Sequence, residues 1–175
     1  MKKHLILLAA VLLLAVLFSC STVSYYEVKS RYMVREGVTR YELPIPVSRY
    51  FTKWEVTFRA DRSEAGTDYY IIVDYLGEDR LLLDTLEFKG EDLSLEYKEI
   101  KTRRINAPDK KFREWATFEV SRRVLDDIAY HPKVKMIVSG MRGDKEVEIN
   151  QPLRDGLVRF LEATAPEEEK EEDKE

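Results

Sequence analysis

Lys53-Trp54-Glu55-Val56-Thr57-Phe58-Arg59-Ala60 decides the fold: Trp54, Val56, Phe58 and Ala60 are apolar, and every residue between them is charged or polar. Side chains along a strand point alternately to opposite faces, so this stretch reads as a strand with one face buried and one facing out. Downstream, Tyr69 to Tyr75 is apolar on both faces until Asp74, which reads as a central strand. Gly77-Glu78-Asp79 supplies a turn, and the Leu-rich run Arg80 to Phe88 is expected to pair with the strand before it. Leu93, Leu95 and Tyr97 alternate with polar residues, and Glu114 to Val120, Val134 to Ser139 and Lys145 to Ile149 repeat the pattern. Arg142-Gly143-Asp144 reads as the hairpin turn between the last two. Upstream, Tyr26, Val28, Tyr32 and Val34 alternate with charged residues. Gly37 to Phe51 reads as a long connection, because Pro44 and Pro46 argue against a central strand.

Two short segments carry the helical period instead. Ser121 is placed to cap a helix whose Val124, Leu125, Ile128 and Ala129 share one face and which Pro132 stops. Asn150 is placed to cap a second, with Pro152 in the first turn and a stripe of Leu153, Leu157, Val158 and Leu161. Helices this short hold only when docked. The expected fold class is therefore mainly β (α+β): an antiparallel β-sandwich-like domain with two short peripheral helices.

Chain organisation follows from composition. Met1-Lys2-Lys3 is a positive start, Leu5 to Phe18 is an unbroken apolar run of 14 residues, and Leu17-Phe18-Ser19-Cys20 follows. A spanning helix needs about 20 apolar residues, so the run reads as a signal segment and not a span. It resembles the type II signals of bacterial lipoproteins: Leu17 and Ser19 match the box before the acylated cysteine, and Phe18 resembles the looser boxes of spirochaete lipoproteins. That resemblance, which covers residues 1–20 only, implies cleavage before Cys20 and its acylation by diacylglycerol and an N-linked fatty acid of the palmitate type. It implies a lipid anchor in the bacterial cell envelope, with the outer membrane favoured because Ser21 and not Asp follows the cysteine. The domain would then face the periplasm or the cell surface. The expected organisation is signal peptide 1–19, lipidated tether 20–25, one globular domain 26–165 and an acidic tail 166–175.

The whole chain has 29 basic and 33 acidic residues, a net charge of −4. Glu167 to Glu175 holds seven acids against two bases, which leaves the body near neutral. Such a like-charge block is expected to stay solvated, and a near-neutral exported body does not suit nucleic acid. Cys20 is the only cysteine, so once acylated it leaves no thiol for a disulfide, a nucleophile or a metal.

The chemistry-bearing residues are few. His4 lies in the signal segment, so His131 is the only histidine of the body. There is no Gly-x-Ser-x-Gly elbow, phosphate-cradling glycine loop, zinc-ligand spacing or Ca²⁺-loop pattern. Neither a catalytic set nor a metal site nor a cofactor is expected. Asp74, Glu78, Asp79 and Asp84 gather around one turn, where a solvated hairpin explains them more simply than a cation does. The marked features are basic and aromatic. Lys101, Arg103, Arg104, Lys110, Lys111 and Arg113 flank the loop Asn106-Ala107-Pro108-Asp109. Trp115 falls with Thr117 and Glu119 on the face opposite Ala116, Phe118 and Val120, whereas Trp54 falls in the core register. These basic residues and Trp115 are the candidate partner-binding set. The function expected is that of a non-enzymatic binding or scaffold domain, held to a membrane and meeting an envelope protein or glycan; the alternative is a carboxylate-dependent envelope hydrolase, and an envelope-complex subunit is a third form.

Overall fold

The computed structural model describes residues 26–48 and 53–166. Within them the chain is mainly β, with two antiparallel sheets and two helices, as the alternation predicts. The first sheet has six strands in the order β1 (Lys29–Met33), β2 (Val38–Ser48), β3 (Lys53–Ser63), β4 (Gly66–Gly77), β8 (Phe112–Val120) and β7 (Lys101–Asn106). The second has four, in the order β10 (Gly143–Glu148), β9 (Lys135–Gly140), β5 (Leu83–Lys89) and β6 (Ser94–Lys98). Helices α1 (Arg122–Tyr130) and α2 (Gln151–Thr164) follow β8 and β10. Cys20, the tether with Tyr25, and the acidic tail from Glu167 onward lie outside the described residues. No helix among the described residues is long and apolar enough to cross a membrane.

The quoted strand behaves as its period requires. Trp54, Val56, Phe58 and Ala60 are buried, and each is paired across β4 with Tyr75, Val73, Ile71 or Tyr69. The β8 residues Ala116, Phe118 and Val120 extend the same face. Leu83, Leu86 and Phe88 of β5 and Met136 and Val138 of β9 oppose it from the second sheet. Burying each such side chain stabilises the fold by roughly 1.5–3 kcal/mol, and these two facing layers are the core. Helix α2 covers the rest: Leu153, Leu157, Phe160 and Leu161 are buried, and the Phe160 ring meets Tyr69 edge-on at 6.5 Å. Gly156 lets the segment before β1 pass close over the helix, since a Cβ there would lie 3.0 Å from Tyr26 Cβ. Both helix starts are capped as expected, with Ser121 Oγ accepting from Val124 N–H at 3.4 Å and Asn150 Oδ1 from Leu153 N–H at 3.2 Å.

Three expectations are corrected. Gly37 to Phe51 is not a connection, for Val38–Ser48 forms β2 and pairs with β3, with Pro44 opposite Thr57 and Pro46 opposite Glu55. The strand β1 pairs with β2 only as far as Glu42, so beyond it β2 is itself a sheet edge. Two prolines spaced by two turn their missing N–H groups to the same side, and an open edge tolerates that. Arg80 to Phe88 does not pair with β4: the strand starts at Leu83 and belongs to the second sheet, while β4 pairs with β8. The first strand is also shorter than its alternation suggests, because Val34 and Arg35 sit in the turn to β2 and Val34 is 81% exposed.

The redirection at Arg80–Leu83 has a physical cause. Glu114 is fully buried on the core side of β8. Its carboxylate accepts from Leu81 N–H and Leu82 N–H at 2.9 Å and from Leu83 N–H at 3.3 Å. Leu82 has φ +56°, the left-handed conformation that fans successive N–H groups toward one anion. From the other side Leu81 C=O accepts from Arg142 N–H at 3.3 Å. The crossover between the sheets is thus held from both layers.

Candidate functional site

The outward face of the six-stranded sheet is not covered by a second layer among the described residues. Its side chains come from alternate positions in register: Arg59 opposite Tyr70, Thr57 opposite Ile72, Trp115 opposite Asp74 on one side and Arg103 on the other, and Thr117 opposite Lys101. Of these, Arg59, Tyr70, Ile72, Lys101, Arg103, Trp115 and Thr117 line, together with Ile100, an open groove of about 550 Å³ across β3, β4, β8 and β7. The structure therefore brings Lys101, Arg103 and Trp115 of the expected set into one place, and the strand pairing puts Arg113 beside them.

The arrangement is one of cations on rings. The Arg113 guanidinium lies 4.6 Å from the centre of the Trp115 ring, and Arg103 lies 5.5 Å from it. Arg59 lies 4.6 Å from the centre of Tyr70. Arg113 is fixed by a two-point pair with Asp74, whose Oδ1 accepts from Nε at 2.9 Å. That hydrogen bond, ahead of the opposing effect of burial, raises the Arg113 pKa above its ordinary value. Arg59 leans on Asp61 at 3.3 Å, and Asp61 also holds Arg40 at 2.7 Å. Lys101 and Arg103 have no carboxylate partner among the described residues, so their charge is directed to solvent. Ile100 is 56% exposed and Ile105 41% exposed beside them. Stacking orders an arginine while leaving its outer N–H groups free to donate.

The remaining candidates go elsewhere. Arg104 points to the opposite face, where its guanidinium donates to Leu83 C=O at 3.4 Å and lies 3.7 Å from Glu114. Lys110 and Lys111 sit in the turn between β7 and β8, where Asp109 and Lys110 take positive φ values of 59° and 58°. Asp74 is on the groove face and Asp84 is in the second sheet, so the acidic turn is dispersed. Among the described residues no group of three or more His, Cys, Asp and Glu side chains is placed to hold a metal. His131 caps α1, with Nδ1 2.8 Å from Pro132 C=O, and its ring packs on Gly90. Trp54 is in the core, its ring 4.9 Å from that of Tyr75.

Arg59, Tyr70, Ile72 and Ile100 are site residues that the sequence reading left unassigned. The signal was present: Tyr70 and Ile72 are the residues that make β4 apolar on both faces, and the β3–β4 hairpin sets Arg59 against Tyr70.

Tyr70 also carries a testable charge effect. Burial first, then Asp68 and Glu119, raises its pKa, and burial does the same for Tyr75 and Tyr97. Each phenol keeps its proton to higher pH in the folded chain than in the unfolded one. Their contribution is therefore complete below pH ~10 and is lost as pH rises through the raised values. Denaturation series at increasing alkaline pH are expected to show stability falling above that point, with the fall shallower in Tyr75→Phe. A flat profile, with every tyrosine ionising together in an absorbance titration, would contradict the assignment.

Fold and face together define a two-sheet α+β domain that presents a cationic, aromatic groove on an uncovered sheet. No family model, curated protein or solved structure matches the chain.

Proposed function

We propose that the chain is a lipid-anchored bacterial envelope protein whose β-domain is a non-enzymatic binding or scaffold module, engaging its partner through the outward face of the six-stranded sheet. The observation that carries this reading is the ordered row of Arg59 on Tyr70 and of Arg113 and Arg103 on Trp115, next to Lys101, which has no carboxylate partner among the described residues. Aromatic residues and arginine are the types enriched where proteins meet partners. The positive Met1-Lys2-Lys3 start, the apolar run Leu5 to Phe18 and the Leu17-Phe18-Ser19-Cys20 box support the anchor. Two acyl chains give stable attachment where one does not.

The test is affinity capture from cross-linked envelopes with the acylated protein, Cys20→Ala and Arg103→Glu. A stoichiometric envelope component is expected with the intact protein. Its recovery should fall about tenfold with Arg103→Glu, a change of ~1.4 kcal/mol. Equal recovery by Arg103→Glu would remove the groove from the reading, and a cytosolic location of the intact protein would remove the anchor.

A further inference from the structure

The groove ends at β7, and β7 is the last strand of its sheet. Its backbone geometry says which groups are left over. Ala107 N–H donates to Lys111 C=O at 2.7 Å across the turn, so these two form a hydrogen-bonded pair. The β7–β8 register then runs without a shift from Asn106↔Phe112 to Lys101↔Thr117. In an antiparallel ladder, hydrogen-bonded pairs alternate with pairs whose backbone groups point away. Ile105, Arg103 and Lys101 therefore turn their N–H and C=O toward β8. The contact from Ile100 N–H to Thr117 C=O at 2.8 Å closes the ladder at its other end. Thr102 and Arg104 turn theirs outward to the open edge. The side chains alternate with them: Lys101 and Arg103 stand on the groove face beside Trp115, and Arg104 stands on the other. A free edge and a cationic face meet at one strand.

We infer that β7 accepts an extended acidic protein segment as a seventh strand of the sheet, a reading that rests on the proposed binding role of the groove. Main-chain hydrogen bonds to Thr102 and Arg104 supply the pairing, and alternate side chains supply the specificity, as in other strand-addition complexes. The register selects carboxylates at every second residue of the incoming segment, because those side chains lie directly across from Lys101 and Arg103. Ile100 and Ile105 flank the same positions and offer apolar contact for the residues next to the acids. A saccharide or a phospholipid headgroup meets the charges equally well, but neither has the amide backbone that uses the edge. The lysine and arginines that keep the bare edge from pairing with another copy of itself are the groups that admit an acidic strand.

The experiment follows backbone amide exchange by NMR in the unacylated Cys20→Ala protein while a short synthetic peptide with glutamate at every second position is added. The Thr102 and Arg104 amides are expected to exchange freely before addition and to gain protection of tenfold or more at saturation. Arg103→Glu should weaken the peptide by about tenfold. Thr102→Pro removes an outward N–H at an edge, where proline is tolerated, and should abolish the protection with the remaining amides unchanged. Sodium polygalacturonate and phosphatidylglycerol vesicles serve as anions without a peptide backbone. Peptide binding without protection of Thr102 and Arg104, or equal binding by Thr102→Pro, overturns strand addition. So does saturation by polygalacturonate or vesicles in the peptide's place. If envelope capture depends on Arg103 while this peptide fails to bind, the groove reading stands and the strand inference alone falls.

Discussion

Glu114→Ala is expected to lose about 4 kcal/mol of folding stability, a large part of the ~5–15 kcal/mol that a domain of this kind has. The reasoning starts from burial. The carboxylate is fully enclosed and satisfies three backbone N–H groups of the crossover Leu81–Leu83. Removing it leaves those donors without an acceptor, at roughly 1–3 kcal/mol for each that stays out of water. Leu81 and Leu82 are half-buried, so water can replace part of the loss there, whereas Leu83 is sealed. Glu114→Gln keeps the shape and one oxygen and is expected to cost about 2 kcal/mol. Arg104→Ala should cost well under 1 kcal/mol, because its head group is substantially exposed and only 3.7 Å contact links it to the acid. Urea denaturation monitored by far-UV circular dichroism ranks the three. An alanine variant within ~1 kcal/mol of the parent chain would mean that the crossover is held by its leucines and not by the acid.

That acid also marks where sequence reasoning stopped. Periodicity locates β3, β4, β8 and both helix caps, because each depends on residues close in the chain. It assigned Arg80 to Phe88 to the wrong neighbour because a turn such as Gly77-Glu78-Asp79 reads as a hairpin from local chemistry alone. What diverts the chain is a carboxylate more than thirty positions away and a positive φ at a leucine, for which no local residue signal exists. The prolines of β2 misled for a related reason. Proline forbids a central strand, but whether Leu43–Ser48 is central depends on how short β1 is, which is a property of the neighbouring strand.

The groove was half legible. Alternation alone puts Trp115 and Arg113 on the outward face, and it does the same for Arg103 and Lys101 once β7 is placed beside β8. The same placement sends Arg104 to the opposite face, but it cannot show that Glu114 and Leu83 are what Arg104 meets there. Nor can it show that Arg59, more than forty residues earlier, stacks beside them. Charge clustering in sequence overstates one contact surface here, since a strand divides a basic run between two faces of its sheet.

Gly140→Ala is the second large effect, and it acts on the same crossover from the opposite layer. A Cβ at Gly140 would overlap the Leu81 carbonyl oxygen and lie 3.0 Å from the Leu82 carbonyl carbon and oxygen. These are backbone atoms, so no side-chain rotation relieves the contact; either β9 or the crossover must shift. Overpacking of this kind costs about 3 kcal/mol at its upper range. The shift has a direction, because Leu81–Leu83 lies between Gly140 on one side and the Glu114 carboxylate on the other. Pushing the segment away from β9 alters the three N–H contacts that Glu114 accepts. The two substitutions therefore report on one object, and in the double variant their costs should fall short of adding by about 1 kcal/mol or more. Additive costs would mean that the two sheets grip the crossover independently. A Gly140→Ala protein as stable as the parent would mean that β9 moves aside without disturbing the crossover.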